Sequence, residues 1–320
     1  MSATTRKIKW WPEKEYPQIT QIKNFNLCNL WISSNRKTMT TTNDTRRDTA
    51  WQAETLSSTY LDGVRGAIPL AAEQIDILVR LARAARPAAR AILDLGCGDG
   101  ILGQALCDAY AARPTVVLAD FSPPMLDAAR ARFARPRGDS QHANGASAGN
   151  ALSGHDDSSA SDEPNVHFVT LDYARRDWPV HVTTAPLPNH YDVIVSGFSI
   201  HHQPDPIKRR IYADIYDLLA TGGIFLNLEH VASASRWGEV QFEAYFIDAL
   251  ARYHAPRGKT RGQVAADFYH RPDKDANRLA PLEMQLRWLR ELGFQHVDCF
   301  FKVFELALFG GVKGQGVSGE

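Results

Sequence analysis

From residue 70 to residue 310, apolar positions fall into blocks that alternate between helical spacing and the dense runs of buried strands. Ile75, Leu78, Val79 and Ala82 recur at helical intervals until Pro87 stops the pattern, predicting a helix over residues 70–86. Residues 91–95 then read as a strand, 102–111 as a helix and 115–119 as a second strand. Ser122 followed by Pro123 predicts a capped helix running to about Phe133. Residues 166–171 and 191–196 read as strands three and four. Ile207, Ile211, Ile215 and Leu218 share one face of a helix over 207–219, which Gly222 and Gly223 are expected to end before a fifth strand at 224–228. A helix over 282–292, closed by Gly293, precedes strand-like runs at 294–301 and 304–309, which are expected to pair as the last two strands. Strands alternating with helices predict an α/β fold around a largely parallel sheet.

Three stretches break this rhythm. Residues 1–38 carry Trp, Lys, Pro and Asn without periodicity and read as a disordered or non-native leader, with Met39 as the expected start of a domain over 39–320. Residues 136–164, rich in Ser, Ala, Gly, Asn and Asp, have almost nothing apolar to bury and read as a flexible insertion. Residues 233–280 hold Trp237, Phe242, Tyr245, Phe246, Tyr253, Phe268 and Tyr269 and read as a helical lid over a substrate. Tyr245, Tyr253 and Tyr269 are candidates for its inner wall and Arg271 for anion recognition, although plain helix packing explains the aromatics equally well.

Composition narrows the function classes. The 320 residues are 44% hydrophobic and 22% charged with zero formal net charge, so no global field draws nucleic acid or anionic lipid. The four cysteines, Cys28, Cys97, Cys107 and Cys299, lack CxxC spacing, which predicts neither a disulfide framework nor a metal site and fits a cytoplasmic protein. No apolar run approaches the roughly 20 residues of a membrane span. The pattern fixes no oligomeric state.

The candidate chemistry begins at Asp94-Leu95-Gly96-Cys97-Gly98-Asp99-Gly100, where a strand turns tightly into a helix. Glycine there permits positive φ and lets a ligand approach the backbone. Gly98-x-Gly100-x-x-Gly103 fits a dinucleotide loop, and Asp120 lies where a ribose-binding carboxylate would, so an NAD-dependent oxidoreductase is one reading. A second acidic strand end at Asp172, and the helix, Gly-Gly and strand of 218–229, favour another. Here the sequence resembles the class I S-adenosylmethionine-dependent methyltransferases, particularly their bacterial small-molecule branch, over about residues 70–312.

That resemblance implies a three-layer, Rossmann-like sheet of seven strands, mostly parallel with an antiparallel last strand, binding S-adenosyl-L-methionine. It implies that Asp94, Gly96, Cys97, Gly98 and Gly100 wrap the methionine and ribose, and that Asp120 accepts from the ribose hydroxyls. Asp172 and Tyr173 would lie near the adenine amino group and Phe121 and Met125 along the ring, with Ser196, Gly197 and Phe198 facing the methyl group. A sulfonium methyl is already activated, so transfer needs in-line placement and exclusion of water, and neither a metal nor a covalent intermediate. A hydroxyl or amine acceptor also needs a base; a carboxylate or thiolate does not. His201 and His202 after strand four, and Glu229 with His230 after strand five, are the candidates, and of these His201, His202 and Glu229 are taken as catalytic. The expected partner is a small-molecule methyl acceptor. RNA modification, or cofactor binding without transfer, are the alternatives, the first disfavoured by the balanced charge.

Overall fold

The computed structural model describes residues 48–135, 165–270 and 276–314, all within the unit Arg46–Glu320. The readings of residues 1–38, Met39, residues 136–164 and Arg271 lie outside the described residues.

Ala91–Leu95 (β1) is buried at every position because both faces of the sheet are covered. Ile92 packs toward one layer, while Leu93 and Leu95 pack toward the other. Thr115–Asp120 (β2) and Val166–Thr170 (β3) extend the sheet on one side, and Tyr191–Gly197 (β4) and Leu219–His230 (β5) on the other, all parallel. Leu306–Lys313 (β7) is antiparallel between β5 and Phe294–Val303 (β6), giving the order β3-β2-β1-β4-β5-β7-β6. This is the Rossmann-like arrangement implied by the resemblance, with the order reversing between β1 and β4, where open α/β sheets bind ligands beyond their carboxyl ends.

Glu54–Gly63 (α1) precedes the sheet. Ala71–Ala85 (α2), Ile101–Ala109 (α3) and Pro123–Phe133 (α4) cover one face through Leu78, Leu106 and Leu126. Trp178–Thr183 (α5), Asp205–Leu218 (α6) and Leu282–Glu291 (α9) cover the other through Trp178, Ile211, Ile215, Leu286 and Leu289. At the amino-terminal edge, Asp192 accepts from Arg86 and from the N–H of Arg90, tying β4 to the entrance of β1.

Two local readings are corrected. Gly222 and Gly223 do not close α6, because the chain turns extended at Leu219 and the glycines lie inside β5. The β4–β5 register passes from Tyr191–Leu219 to Val193–Ile224, so they form a bulge set by strand pairing. Ser122 holds the N-cap position of α4, yet its hydroxyl donates to the Trp51 carbonyl at 2.6 Å instead of capping the helix.

The aromatic insertion is helical, as Arg236–His254 (α7) and Arg261–Tyr269 (α8). Phe242, Phe246, Leu250, Val264 and Phe268 form a third apolar cluster with Val64, Ala67 and Leu306. Most of these aromatics therefore fasten the insertion to the segment after α1 and to β7. Tyr253 packs over Gly66, Tyr245 lies 5.5 Å from Phe304, and Tyr269 is 52% exposed beside Glu243.

Candidate active site

At the tip of β1, Gly96 and Gly98 have φ of +69° and +54°, and the N–H groups of Gly96 and Cys97 donate to Ala119. The loop is thereby tied to β2. A Cβ on Gly98 would meet nothing within 4 Å, so its backbone faces open space. Over Gly96 the Ser199 hydroxyl stands where a Cβ would be, 1.9 Å away, and is held by Tyr173 Oη at 2.6 Å. Tyr173 thus lies between the Gly96 turn and the loop after β4.

Asp120 ends β2 buried, one carboxylate oxygen accepting from Gly98 N–H and the other from Ser122 N–H, each at 2.8 Å. Burial raises its pKa, and the N–H groups of Ser122, Gly98 and Phe121 oppose the rise. Asp94 is turned to the amino end of α3, where Oδ2 accepts from Gly103 N–H at 2.8 Å. Its Oδ1 is buried without a hydrogen-bond partner among the described residues, and burial pushes the carboxyl up to about 7. Arg65 and Arg132 grip the adjacent Asp99 and fix the loop from outside.

A cleft of about 370 Å³ opens beyond the β2 and β3 tips, lined by Phe121, Asp172, Arg175 and Thr49. Phe121 and Asp172 thus share one concave surface. Met125 and the Cys97 side chain are buried, Cys97 in the core beneath the loop, where burial pushes its thiol up. Ser196 also turns inward, donating to Leu95 O at 2.8 Å. Gly197 abuts Leu102, and Phe198, at φ +49°, is pinned by its N–H to Leu228 O. Of the three residues assigned to the methyl group, Ser196 does not present its side chain to the crevice.

The tips of β4 and β5 gather imidazoles. Glu229, 1% exposed, accepts from the His201 backbone N–H at 3.0 Å and the His230 N–H at 2.9 Å, and its Oε1 lies 2.6 Å from His201 Nδ1. Burial raises Glu229 to about 7, opposed by the His230 N–H and the nearby positive charges. Burial also holds His201 well below its usual range, reinforced by His230 and Lys208 and opposed by the Asn277 side chain hydrogen-bonded to it. The His202 ring stands 4.0 Å from that of His201 and 5.7 Å from Trp51. Trp51, through Ser122 at one side and His202 at the other, spans the crevice mouth. His230 lies 5.7 Å from His201 and 5.4 Å from Phe242, with Nε2 2.7 Å from Glu305.

Sequence reasoning assigned Asp120, Asp172, the glycine loop and the His–Glu group to one crevice, and did not single out Trp51, Ser199, Asn277, Ser233 or Glu305. Nothing local marks these five. Among the described residues no group of three or more His, Cys, Asp or Glu is disposed to hold a metal ion. None of the described helices is long and apolar enough to cross a membrane.

Fold and site together define an α/β domain with its polar strand tips gathered at the switch point of the sheet. Residues 93–225 match the family model described as a methyltransferase domain. No curated protein matches the chain by sequence. Among solved structures it is similar to an O-methyltransferase family protein from Burkholderia thailandensis, at 15% identity and TM-score 0.55, covering 85% of this chain and 64% of that one. It is also similar to a possible exported protein from Bordetella parapertussis, at 14% identity and TM-score 0.50, covering 80% and 72%. The chain spans less than two thirds of the Burkholderia protein's length.

Proposed function

We propose that this protein transfers the methyl group of S-adenosyl-L-methionine to a small-molecule acceptor with an oxygen, nitrogen or carboxyl nucleophile, by in-line displacement. One observation carries the reading. An open glycine backbone lies beside the Asp120 carboxylate at the β1 and β2 tips, and a buried imidazole–carboxylate group stands at the β4 and β5 tips.

The open face of Gly98, the Asp120 carboxylate and the concave surface of Phe121 and Asp172 fit an adenosyl group. These residues would hold the cofactor, with the Gly96, Cys97 and Gly100 backbone and Met125 supporting the loop and the ring side. When bound, the cofactor supplies a methyl on a positively charged sulfur. The chain's part is to orient the acceptor, exclude water and manage the acceptor's proton. Glu229 fixes His201 through main chain and ring at once, and His201, His202 and His230 form the wall the acceptor meets. A neutral imidazole there takes the proton of a hydroxyl or amine.

Calorimetry with S-adenosylhomocysteine and with NAD tests the first half: micromolar binding of the former and none of the latter is expected, and the reverse replaces this reading with an oxidoreductase. Radiolabelled methyl transfer tests the second. Label is expected in small molecules of a cell extract over many turnovers; label in RNA would change the acceptor class, and label nowhere would leave a cofactor-binding protein.

A further inference from the structure

The methyl-transfer reading leaves open which imidazole meets the acceptor, and resting on that reading we propose that it is His230, held by a buried Glu305 that Ser233 also pins. The acceptor is then a hydroxyl or an amine.

The two His–Glu pairs at the β5 tip differ in what they leave free. His201 is boxed in: Nδ1 faces Glu229 Oε1, Asn277 hydrogen-bonds the same side chain, and the side chain is only 8% exposed. Its carbonyl also accepts from Arg278 N–H at 3.0 Å, so the whole residue is a strut. His230 is 21% exposed and is engaged at one ring nitrogen. Glu305, 3% exposed, puts Oε2 2.7 Å from His230 Nε2, while its Oε1 accepts from the Ser233 hydroxyl at 2.5 Å. An ionised carboxylate only accepts, so the proton of neutral His230 sits on Nε2 and the lone pair on Nδ1. Among the described residues, Nδ1 has no hydrogen-bond partner, and it is not a buried atom.

The sheet itself builds this pair. In the β5–β7 ladder His230 is opposite Leu306, and Val231 N–H donates to Glu305 O at 2.8 Å, which brings the β6–β7 turn to the exit of β5. Phe242 of α7 packs against the imidazole from the insertion side. An imidazole tautomer fixed by a buried carboxylate, with its other nitrogen unengaged on a partly exposed side chain, is the arrangement of a general base. His230 Nδ1 takes the proton from the acceptor's O–H or N–H. That bond's electron pair forms the new bond to the methyl carbon, the old carbon–sulfur pair stays on sulfur, and His230 later releases its proton to solvent. Glu305 is a positioning residue, acting through His230.

The test uses the full chain saturated with S-adenosylhomocysteine and labelled with ¹⁵N-histidine. Nuclear magnetic resonance is expected to show His230 as the Nε2–H tautomer in the wild type and a mixture of tautomers in Glu305→Gln. A wild-type His230 protonated at Nδ1, or a tautomer unmoved in Glu305→Gln, overturns the proposal. Rates are then measured with tritiated S-adenosylmethionine and the small-molecule extract of the expression host. His230→Gln is expected to lose about 10²- to 10⁴-fold in turnover with unchanged S-adenosylhomocysteine affinity. Glu305→Gln is expected to lose tenfold or more and shift the acid limb of the pH profile, and Glu305→Asp to recover part of the rate. Full rate in His230→Gln, with loss confined to His201→Asn, overturns the assignment while leaving methyl transfer standing; absence of binding in the wild type instead defeats the underlying reading. Where the extract holds no acceptor, the tautomer result decides.

Discussion

At the β1–β3 tips the polar contacts join residues close in the chain, Asp94 to Gly103 nine residues on and Gly98 to Asp120 22 residues on, and main-chain N–H groups are the donors. At the β4–β5 tips they join side chains 28, 72 and 75 residues apart, His201 to Glu229, Ser233 to Glu305 and His230 to Glu305. The first end is a backbone surface, suited to a ligand whose shape is constant. The second is assembled largely from side chains on separate elements. A domain that keeps one cofactor and varies its acceptor needs that division.

The largest expected effect separates two glycines of one loop. Gly96→Ala places a Cβ at positive φ against a Ser199 hydroxyl that Tyr173 holds, and is expected to cost about 4 kcal/mol of stability. Gly98→Ala meets no protein atom, so it costs only the φ strain of ~1 kcal/mol and instead weakens S-adenosylhomocysteine binding. Denaturant unfolding of both variants checks this. Equal losses would mean that the open space at Gly98 has no bearing on the ligand.

Asp94→Asn comes next. The folded-state carboxyl, held at about 7 by burial, lies above its ordinary 3.8, so the native state binds the proton more tightly than the unfolded chain. Its stability contribution is full below about pH 4 and is lost as pH rises through about 7. An asparagine keeps an oxygen for Gly103 N–H without the charge. At pH 8 the variant is expected to be more stable than the wild type by ~2–3 kcal/mol, within the ~4 kcal/mol that the whole displacement allows. Comparing unfolding at pH 5 and pH 8 cancels the contributions of His201 and Glu229 between the two proteins. A gap that stays constant with pH would show Asp94 ionised throughout.

Asp120→Ala follows, with S-adenosylhomocysteine affinity expected to fall by about 1–3 kcal/mol as ligand hydroxyls lose their acceptor. Unchanged affinity in calorimetry would make Asp120 only the strap between Gly98 and Ser122.

The contrast between the two ends also explains what the sequence disclosed. The strands of the first half and the glycine turn were legible because their signals are local: apolar runs, a Ser-Pro start, glycines at fixed spacing. Gly222 and Gly223 misled for the same reason, since Gly-Gly after an apolar helix looks like a stop and only pairing with β4 turns it into a bulge. The reversal of β7 entered through family resemblance, and the Phe304 turn that aims Glu305 at His230 follows from the β6–β7 hairpin. Aromatic residues over 233–280 carried no sign of which would pack. Phe242, Phe246 and Phe268 face Val64 and Ala67, residues nearly two hundred positions away.

Tyr173→Phe, the smallest effect, tests the joint between the two ends. Tyr173 stands after β3 on the cofactor side and its hydroxyl reaches Ser199 after β4, at 2.6 Å to Oγ and 3.0 Å to O. Removing the hydroxyl deletes those bonds and keeps the ring in its core position, at an expected cost of ~1 kcal/mol. That corresponds to a fall of roughly 2–4 °C in Tm for a domain of this size. Two roles for Tyr173 give different outcomes for the ligand. With Tyr173 as a brace for Ser199, the variant frees the hydroxyl that stands over Gly96, and S-adenosylhomocysteine affinity is expected to hold or tighten. With Tyr173 as an adenine contact through its hydroxyl, affinity falls alongside stability. Calorimetry and thermal unfolding on the one variant therefore decide whether Tyr173 belongs to the cofactor surface or to the joint that sets how far the two ends stand apart.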